Sequence, residues 1–236
     1  MNAFEHVPGG LASADDQGGA GHASPDVSTG TGARLFLIRH GETAWALTGQ
    51  HPGRTDIPLT VHGEAQAVEL GQQLQGIEFS RLISSPLTRA RQTGERVVPH
   101  RALAFDPDLV EWDYGDYEGK TSVAIRQQRP GWEVFRDGCP HGESPEQVAA
   151  RADRLIARLR REGGNIALFS HGQFGVVLAA RWVGLSVAQA RHFSLDVASA
   201  SVLAFDPHHL DVAVIACWNR VSPERFRSSF TTPGEP

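Results

Sequence analysis

At 236 residues the chain has the length of one domain with a full-sized core. Its net charge of −5 provides no general attraction for nucleic acid or an anionic membrane, and no apolar run approaches the ~20 residues of a membrane span. The two cysteines, Cys139 and Cys217, form neither a CxxC nor a disulfide-scaffold pattern, which fits a reducing, cytoplasmic setting.

Residues 1–33 are rich in Gly, Ala, Ser and Asp and contain no Lys or Arg. They lack the basic start and apolar stretch of a signal peptide and the arginines of a transit peptide, and read as a disordered leader. The domain is expected over 34–220. Leu35-Phe36-Leu37-Ile38 is a short buried strand that stops at Arg39-His40-Gly41. Residues 45–58 read as a loop, with Gly49, Pro52 and Gly53 supplying its turns. Thr60 is placed as the cap of a helix reaching about residue 74, ended by Gly76. Arg81-Leu82-Ile83-Ser84 is a second strand, and Ser85 and Pro86 take the cap and first positions of a helix reaching about residue 98.

Residues 107–143 look irregular apart from one helix near 121–128. Ser144-Pro145-Glu146-Gln147 is a capping box, and Val148, Ala152, Leu155, Ile156 and Leu159 share one face of the helix it opens, with Gly163 and Gly164 closing it. Residues 165–170 form a strongly apolar strand, a helix follows over about 173–183, and 198–206 and 211–218 are late strands. Residues 221–236 are polar, contain three prolines and read as a loose tail.

This alternation predicts an α/β fold, a three-layer sandwich with a mostly parallel central sheet. Ligands of such folds bind beyond the carboxyl ends of the strands. One strand ends in Arg39-His40-Gly41, the next in Ser84-Ser85-Pro86-Leu87-Thr88-Arg89, and a third in Ser170-His171-Gly172. Two arginines, two histidines and two helix N-termini thus meet at one sheet edge. Helix N-termini and guanidinium groups both favour anions, and phosphate is the leading candidate. Two nearby patterns are decoys. Gly115-Asp116-Tyr117-Glu118-Gly119-Lys120-Thr121 approximates a phosphate-binding Walker loop, but is one residue short and would turn two acids toward the phosphates. His208-His209, flanked by Asp206 and Asp211, is a surface turn after Pro207 rather than a metal site, since adjacent residues rarely face one ion.

Arg39-His40-Gly41, Arg89 in Ser84-Ser85-Pro86-Leu87-Thr88-Arg89-Ala90, Glu111 in Glu111-Trp112-Asp113-Tyr114-Gly115-Asp116-Tyr117-Glu118-Gly119, and Ser170-His171-Gly172 together resemble the histidine phosphatase superfamily of phosphoglycerate-mutase-like type. The resemblance implies an enzyme without metal or cofactor that works through a phosphohistidine on His40. It assigns phosphoryl clamping to Arg39, Arg89 and His171, adds Thr43, Gln50 and Gly172 to the substrate-binding set, and makes Glu111 the acid that protonates the leaving oxygen and then activates water. Asp113, Asp116 and Glu118 are rival acids, but Glu111 holds the Glu-x-x-x-Gly-x-x-x-Gly position. The arginine charges should disfavour protonation of both imidazoles.

Mutases of this family place Asn after the Trp that follows the first motif, where this chain has Ala46 after Trp45, and their Arg-rich continuation is replaced here by Trp112-Asp113-Tyr114. Residues 49–60 and 114–119 are similar to a branch of sedoheptulose-bisphosphatases and broad-specificity phosphatases. That similarity implies a phosphomonoesterase acting on a small phosphorylated metabolite such as a sugar phosphate, with no nucleic-acid or membrane partner. A phosphoglycerate mutase and a catalytically silent phosphate- or phosphoprotein-binding module remain alternatives. Gln50, His51, Arg54, Arg126, Arg129 and Trp132 are the candidates for the substrate side. Nothing in the sequence sets an oligomeric state.

Overall fold

Strand β1, Arg34–Arg39, is apolar at four consecutive positions because it is covered on both faces. Leu35 and Leu37 enter one core, and Phe36 and Ile38 enter the other. Strand β4, Asn165–Ser170, repeats the pattern, with Ile166 and Leu168 on the first side and Ala167 and Phe169 on the second. Continuous apolar runs of this kind mark strands buried between two layers. The computed structural model describes residues 32–221, so nearly all of the leader and the tail lie outside the described residues. Gly32 bridges Gly163, and Ala33 is buried.

Strands β1, β2 (Arg81–Ser84), β3 (Ala104–Phe105) and β4 run parallel, while β5 (Ala200–Phe205) and β6 (Ala213–Arg220) continue the sheet through antiparallel pairs. Among the described residues these six form one sheet in the order β3-β2-β4-β1-β5-β6. Helices α2 (Val61–Gln73) and α3 (Thr88–Val97) cover one face, packing Ala67, Leu70 and Val97. Helices α6 (Pro145–Leu159) and α7 (Gly172–Trp182) cover the other with Val148, Leu155, Phe174 and Val177. This is the expected three-layer α/β arrangement. The capping box at Ser144 is present as read, with both of its hydrogen bonds formed. Among the described residues no helix is long and apolar enough to cross a membrane.

Several local expectations are corrected. The loop over 45–58 contains a short helix, α1 (Ala44–Thr48), capped by Thr43 Oγ1 accepting from Ala46 N at 3.2 Å and closed by Gly49 at φ 73°. The irregular stretch over 107–143 holds a second short helix, α5 (Val134–Asp137), beside the expected α4 (Ser122–Gln128). Ser85 does not cap α3, which starts at Thr88. The cap comes instead from the distant loop ahead of α2, where Asp56 accepts from Thr88 N and Thr88 Oγ1, both at 2.7 Å. Replacing Asp56 with Ala should therefore lower stability in urea unfolding by about 1 kcal/mol. An unchanged midpoint would contradict this capping role.

Candidate active site

The strand ends build the site. Arg39 and Ser170 are register partners on β1 and β4, so His40 and His171 follow side by side, with His40 N donating to Ser170 O at 3.0 Å. The imidazole centroids lie 5.3 Å apart with planes at 60°. His40 Nδ1 sits 2.8 Å from Gly41 O, which favours a proton on Nδ1 and leaves the Nε2 lone pair free. Gly41 must be glycine, because a Cβ there would come within 2.4 Å of Gly63 O. His171 Nε2 is 2.8 Å from Ser85 Oγ, while its buried Nδ1 has no hydrogen-bond partner among the described residues.

Arg39 Nη1 donates to Leu195 O, and its buried Nε has no hydrogen-bond partner among the described residues. A Cβ at position 172 would lie 3.3 Å from the Arg39 guanidinium carbon, so Gly172 lets that side chain lie close against the start of α7. Arg89, fully buried in the first turn of α3, donates to Thr55 O at 3.1 Å and Gly53 O at 2.8 Å, again with no partner for Nε among the described residues. Burial, then the charges of Arg89 and Arg39, hold His40 well below the usual histidine pKa, only partly offset by the Gly41 carbonyl. His171 is held well below it by burial, then by Arg89, His40, Arg151 and Arg39. Protonation of both rings is thus disfavoured, chiefly by burial and then by the arginine charges that the sequence placed beside them.

Glu111 lies at the N-terminus of α7. Its Oε1 accepts from Trp112 N and Phe174 N, both at 2.8 Å, and its Oε2 accepts from Gln173 N at 3.1 Å. The rival acids are engaged elsewhere. Asp113 pairs with Arg54 at 2.8 Å, Asp116 with His141 at 2.9 Å, and Glu118 accepts from the backbone N–H groups of Arg54 and Thr55. Only Glu111 of the four lines the cavity of about 410 Å³ beside His40.

That cavity is also lined by Arg39, Thr43, Gln50, His51, Tyr114, Gly172 and Gln173, whereas Arg89 and His171 stand behind its wall. Gln50 is on the wall with its amide engaged by the protein, Nε2 donating to Gly119 O at 2.8 Å and Oε1 accepting from Thr48 Oγ1 at 2.7 Å. His51 stacks on Tyr114 at 4.4 Å, and burial, then Arg126, lowers its pKa to about 4. Arg126 and Trp132 line an adjoining cavity of about 280 Å³ that shares His51, Tyr114, Phe135 and Gln173 with the first. Arg54 and Arg129 line neither of these two cavities, being turned toward Asp113 and Asp137. Sequence reasoning missed Ser85 as the partner of His171, and missed the wall at Phe193-Ser194-Leu195, for which the chain carries no motif. The His208-His209 pair is an exposed turn whose backbone N–H groups donate to Asp206 Oδ1 at 2.8 and 2.9 Å. Among the described residues no group of three or more His, Cys, Asp or Glu could hold a metal ion.

The model of the histidine phosphatase superfamily, branch 1, matches residues 35–218. The chain belongs to this superfamily. It is 38% identical over 194 residues to an acid phosphatase of Mycobacterium tuberculosis, covering 80% of this chain and 95% of that protein. It is 36% identical over 187 residues to the sedoheptulose 1,7-bisphosphatase of Saccharomyces cerevisiae, covering 65% of this chain and 69% of that protein. A solved structure of an open reading frame product from Mycobacterium tuberculosis superposes with a TM-score of 0.73 at 36% identity, over 80% of this chain and 99% of that one. The strand order places the two motif histidines at one edge of the sheet.

Burying two neutral imidazoles links stability to pH. Below 6.5 the unfolded chain binds protons that the folded site refuses, so stability is full above that value and is lost as pH falls. The melting temperature should fall between about pH 6.5 and 5, above the carboxylate range, and fall less steeply in a His171→Asn variant. A flat or rising trend in wild type would contradict the neutral assignment.

Proposed function

We propose that this protein is a phosphomonoesterase that hydrolyses a small phosphorylated metabolite, of the sugar-phosphate kind, through a phosphohistidine on His40. The observation that carries this reading is the positive charge gathered at one imidazole pair: His40, its Nδ1 held by Gly41 O, lies 5.3 Å from His171, and the charges of Arg89 and Arg39 act on both rings. Two guanidinium groups set about one candidate nucleophile call for an anionic ligand with several oxygens, as a phosphoryl group has. His171 offers Nδ1–H when its Nε2 accepts from the Ser85 hydroxyl.

In the proposed cycle, His40 Nε2 forms a bond to phosphorus as the bond from phosphorus to the ester oxygen breaks. The leaving oxygen takes a proton from Glu111, whose Oε2 has the weaker of its contacts and is the oxygen to carry it. Water then attacks phosphorus, Glu111 takes the water's proton, and His40 leaves as a neutral imidazole. Positioning and charge compensation dominate phosphoryl transfer, which is what two guanidinium groups and an imidazole supply. The acid phosphatase and bisphosphatase relatives support hydrolysis. So does Ala46 on the cavity wall, which offers no side-chain hydrogen bond to hold an intermediate for return to the enzyme. The presence of His40, Glu111 and His171 together speaks against a silent binding module. The buried, unpaired Cys139 and Cys217 suit a cytoplasmic setting.

Replacing His40 with Ala should abolish p-nitrophenyl phosphate turnover, and activity near wild type would refute the assignment. Glu111→Gln should slow alkyl phosphates at least about tenfold more than aryl phosphates, because a good leaving group needs little protonation. Equal losses would point to another acid. With 3-phosphoglycerate and 2,3-bisphosphoglycerate the protein should release phosphate and form no 2-phosphoglycerate, whereas accumulation of that product would restore the mutase reading.

A further inference from the structure

We infer that Arg151 and Glu143 position Glu111 for proton transfer by fixing both pieces of backbone that hold its carboxylate. This rests on the reading of Glu111 as the acid. Arg151 is on α6, on a turn that the sequence pattern leaves looking like helix surface, yet its side chain is only 6% exposed. All five of its N–H groups are engaged. Nε donates to Glu143 Oε1 at 2.9 Å, and Nη1 donates to Asp108 O at 2.9 Å and Val110 O at 2.7 Å. Nη2 donates to Glu143 Oε2 at 2.8 Å and, more loosely, to Glu111 O at 3.4 Å.

Glu143 completes the clamp. Its Oε2 accepts from Asp113 N at 2.9 Å, its carbonyl accepts from Trp112 Nε1 at 3.0 Å, and its own N–H donates to Asp113 O at 2.9 Å. Residues 108–113, with Glu111 near their centre, are therefore held at both ends by one ion pair. The second piece of backbone is the start of α7. The Arg151 guanidinium lies 4.2 Å from the Phe174 ring centroid, and Phe174 N is one of the donors that fix the Glu111 carboxylate.

A buried ion pair is weak evidence for stability, since desolvation offsets much of the attraction. Here every hydrogen bond of the Arg151 fork runs either to Glu143 or to the carbonyls of Asp108, Val110 and the acid itself. Five donors in a fixed plane cannot be reproduced by a lysine with three. Loosening the clamp would let the carboxylate drift from the leaving oxygen, and leave the His40, Arg39 and Arg89 constellation in place. The consequence is selective. Proton donation matters most for basic alkoxide leaving groups and little for p-nitrophenolate.

The test compares glycerol 2-phosphate with p-nitrophenyl phosphate in Arg151→Lys, which keeps the charge, and Glu143→Gln, which keeps the shape. In both, kcat on glycerol 2-phosphate should fall about 30-fold and on p-nitrophenyl phosphate less than about threefold, with KM for each little changed. Introduced into Glu111→Gln, Arg151→Lys should leave the ratio of the two activities where it was, because the same proton transfer is already lost. Equal losses on both substrates, or a full further loss in the Glu111→Gln background, would make the pair a purely structural feature and overturn the inference. Selectivity in Glu111→Gln but not in Arg151→Lys overturns the inference alone. Selectivity in Arg151→Lys but not in Glu111→Gln overturns the acid assignment as well.

Discussion

Arg39 and Ser170 occupy the last rung of the β1–β4 ladder, and the next residue on each strand is a histidine. Parallel pairing in this register is what turns two motifs 131 positions apart into two rings 5.3 Å apart (171 − 40 = 131). Strand side chains alternate with period two, so slipping this ladder by one residue would move Leu35, Leu37, Phe36 and Ile38 each into the opposite core. The apolar layers on both faces therefore lock the register, and the register locks the site. Packing and chemistry are joined at that rung.

The charges around the rung act in one direction. Arg89 is buried and Arg39 half-buried beside two imidazoles, and burial of the rings together with these charges disfavours their protonation. A neutral ring is what the proposed attack by His40 requires. The same crowding of positive charge suits the site to the anionic substrate proposed for it. The loop at 53–56 carries part of this load. Its carbonyls at Gly53 and Thr55 hold Arg89, while Asp56 caps the helix on which Arg89 stands.

Much of this was legible in the sequence, for identifiable reasons. Strands β1 and β4 announce themselves because residues covered on both faces must be apolar at every position. The Ser144 box is readable because its partners are three residues apart. The start of α3 was misplaced because its cap comes from Asp56, 32 positions upstream, and local patterns carry no trace of a distant cap. Ser85 was free for another task, the support of His171. Strand β3 is two residues long and exposed at both, too short for any periodicity. Of the site, the Arg, His and Glu positions were readable as motifs. The clamp under Glu111 was not, because Glu143 stands just outside a capping box and Arg151 looks like any charged residue on a helix.

The ring nitrogens of His40 offer the sharpest check. Rapid acid-free quenching during turnover, followed by peptide mapping and phosphorus NMR of the trapped intermediate, identifies both the residue and the atom that carry phosphate. Because the Gly41 carbonyl holds Nδ1, the phosphate should be found on Nε2 of His40. Phosphate on Nδ1, on His171 or on Ser85 would contradict the geometry from which the enzyme's chemistry has been built.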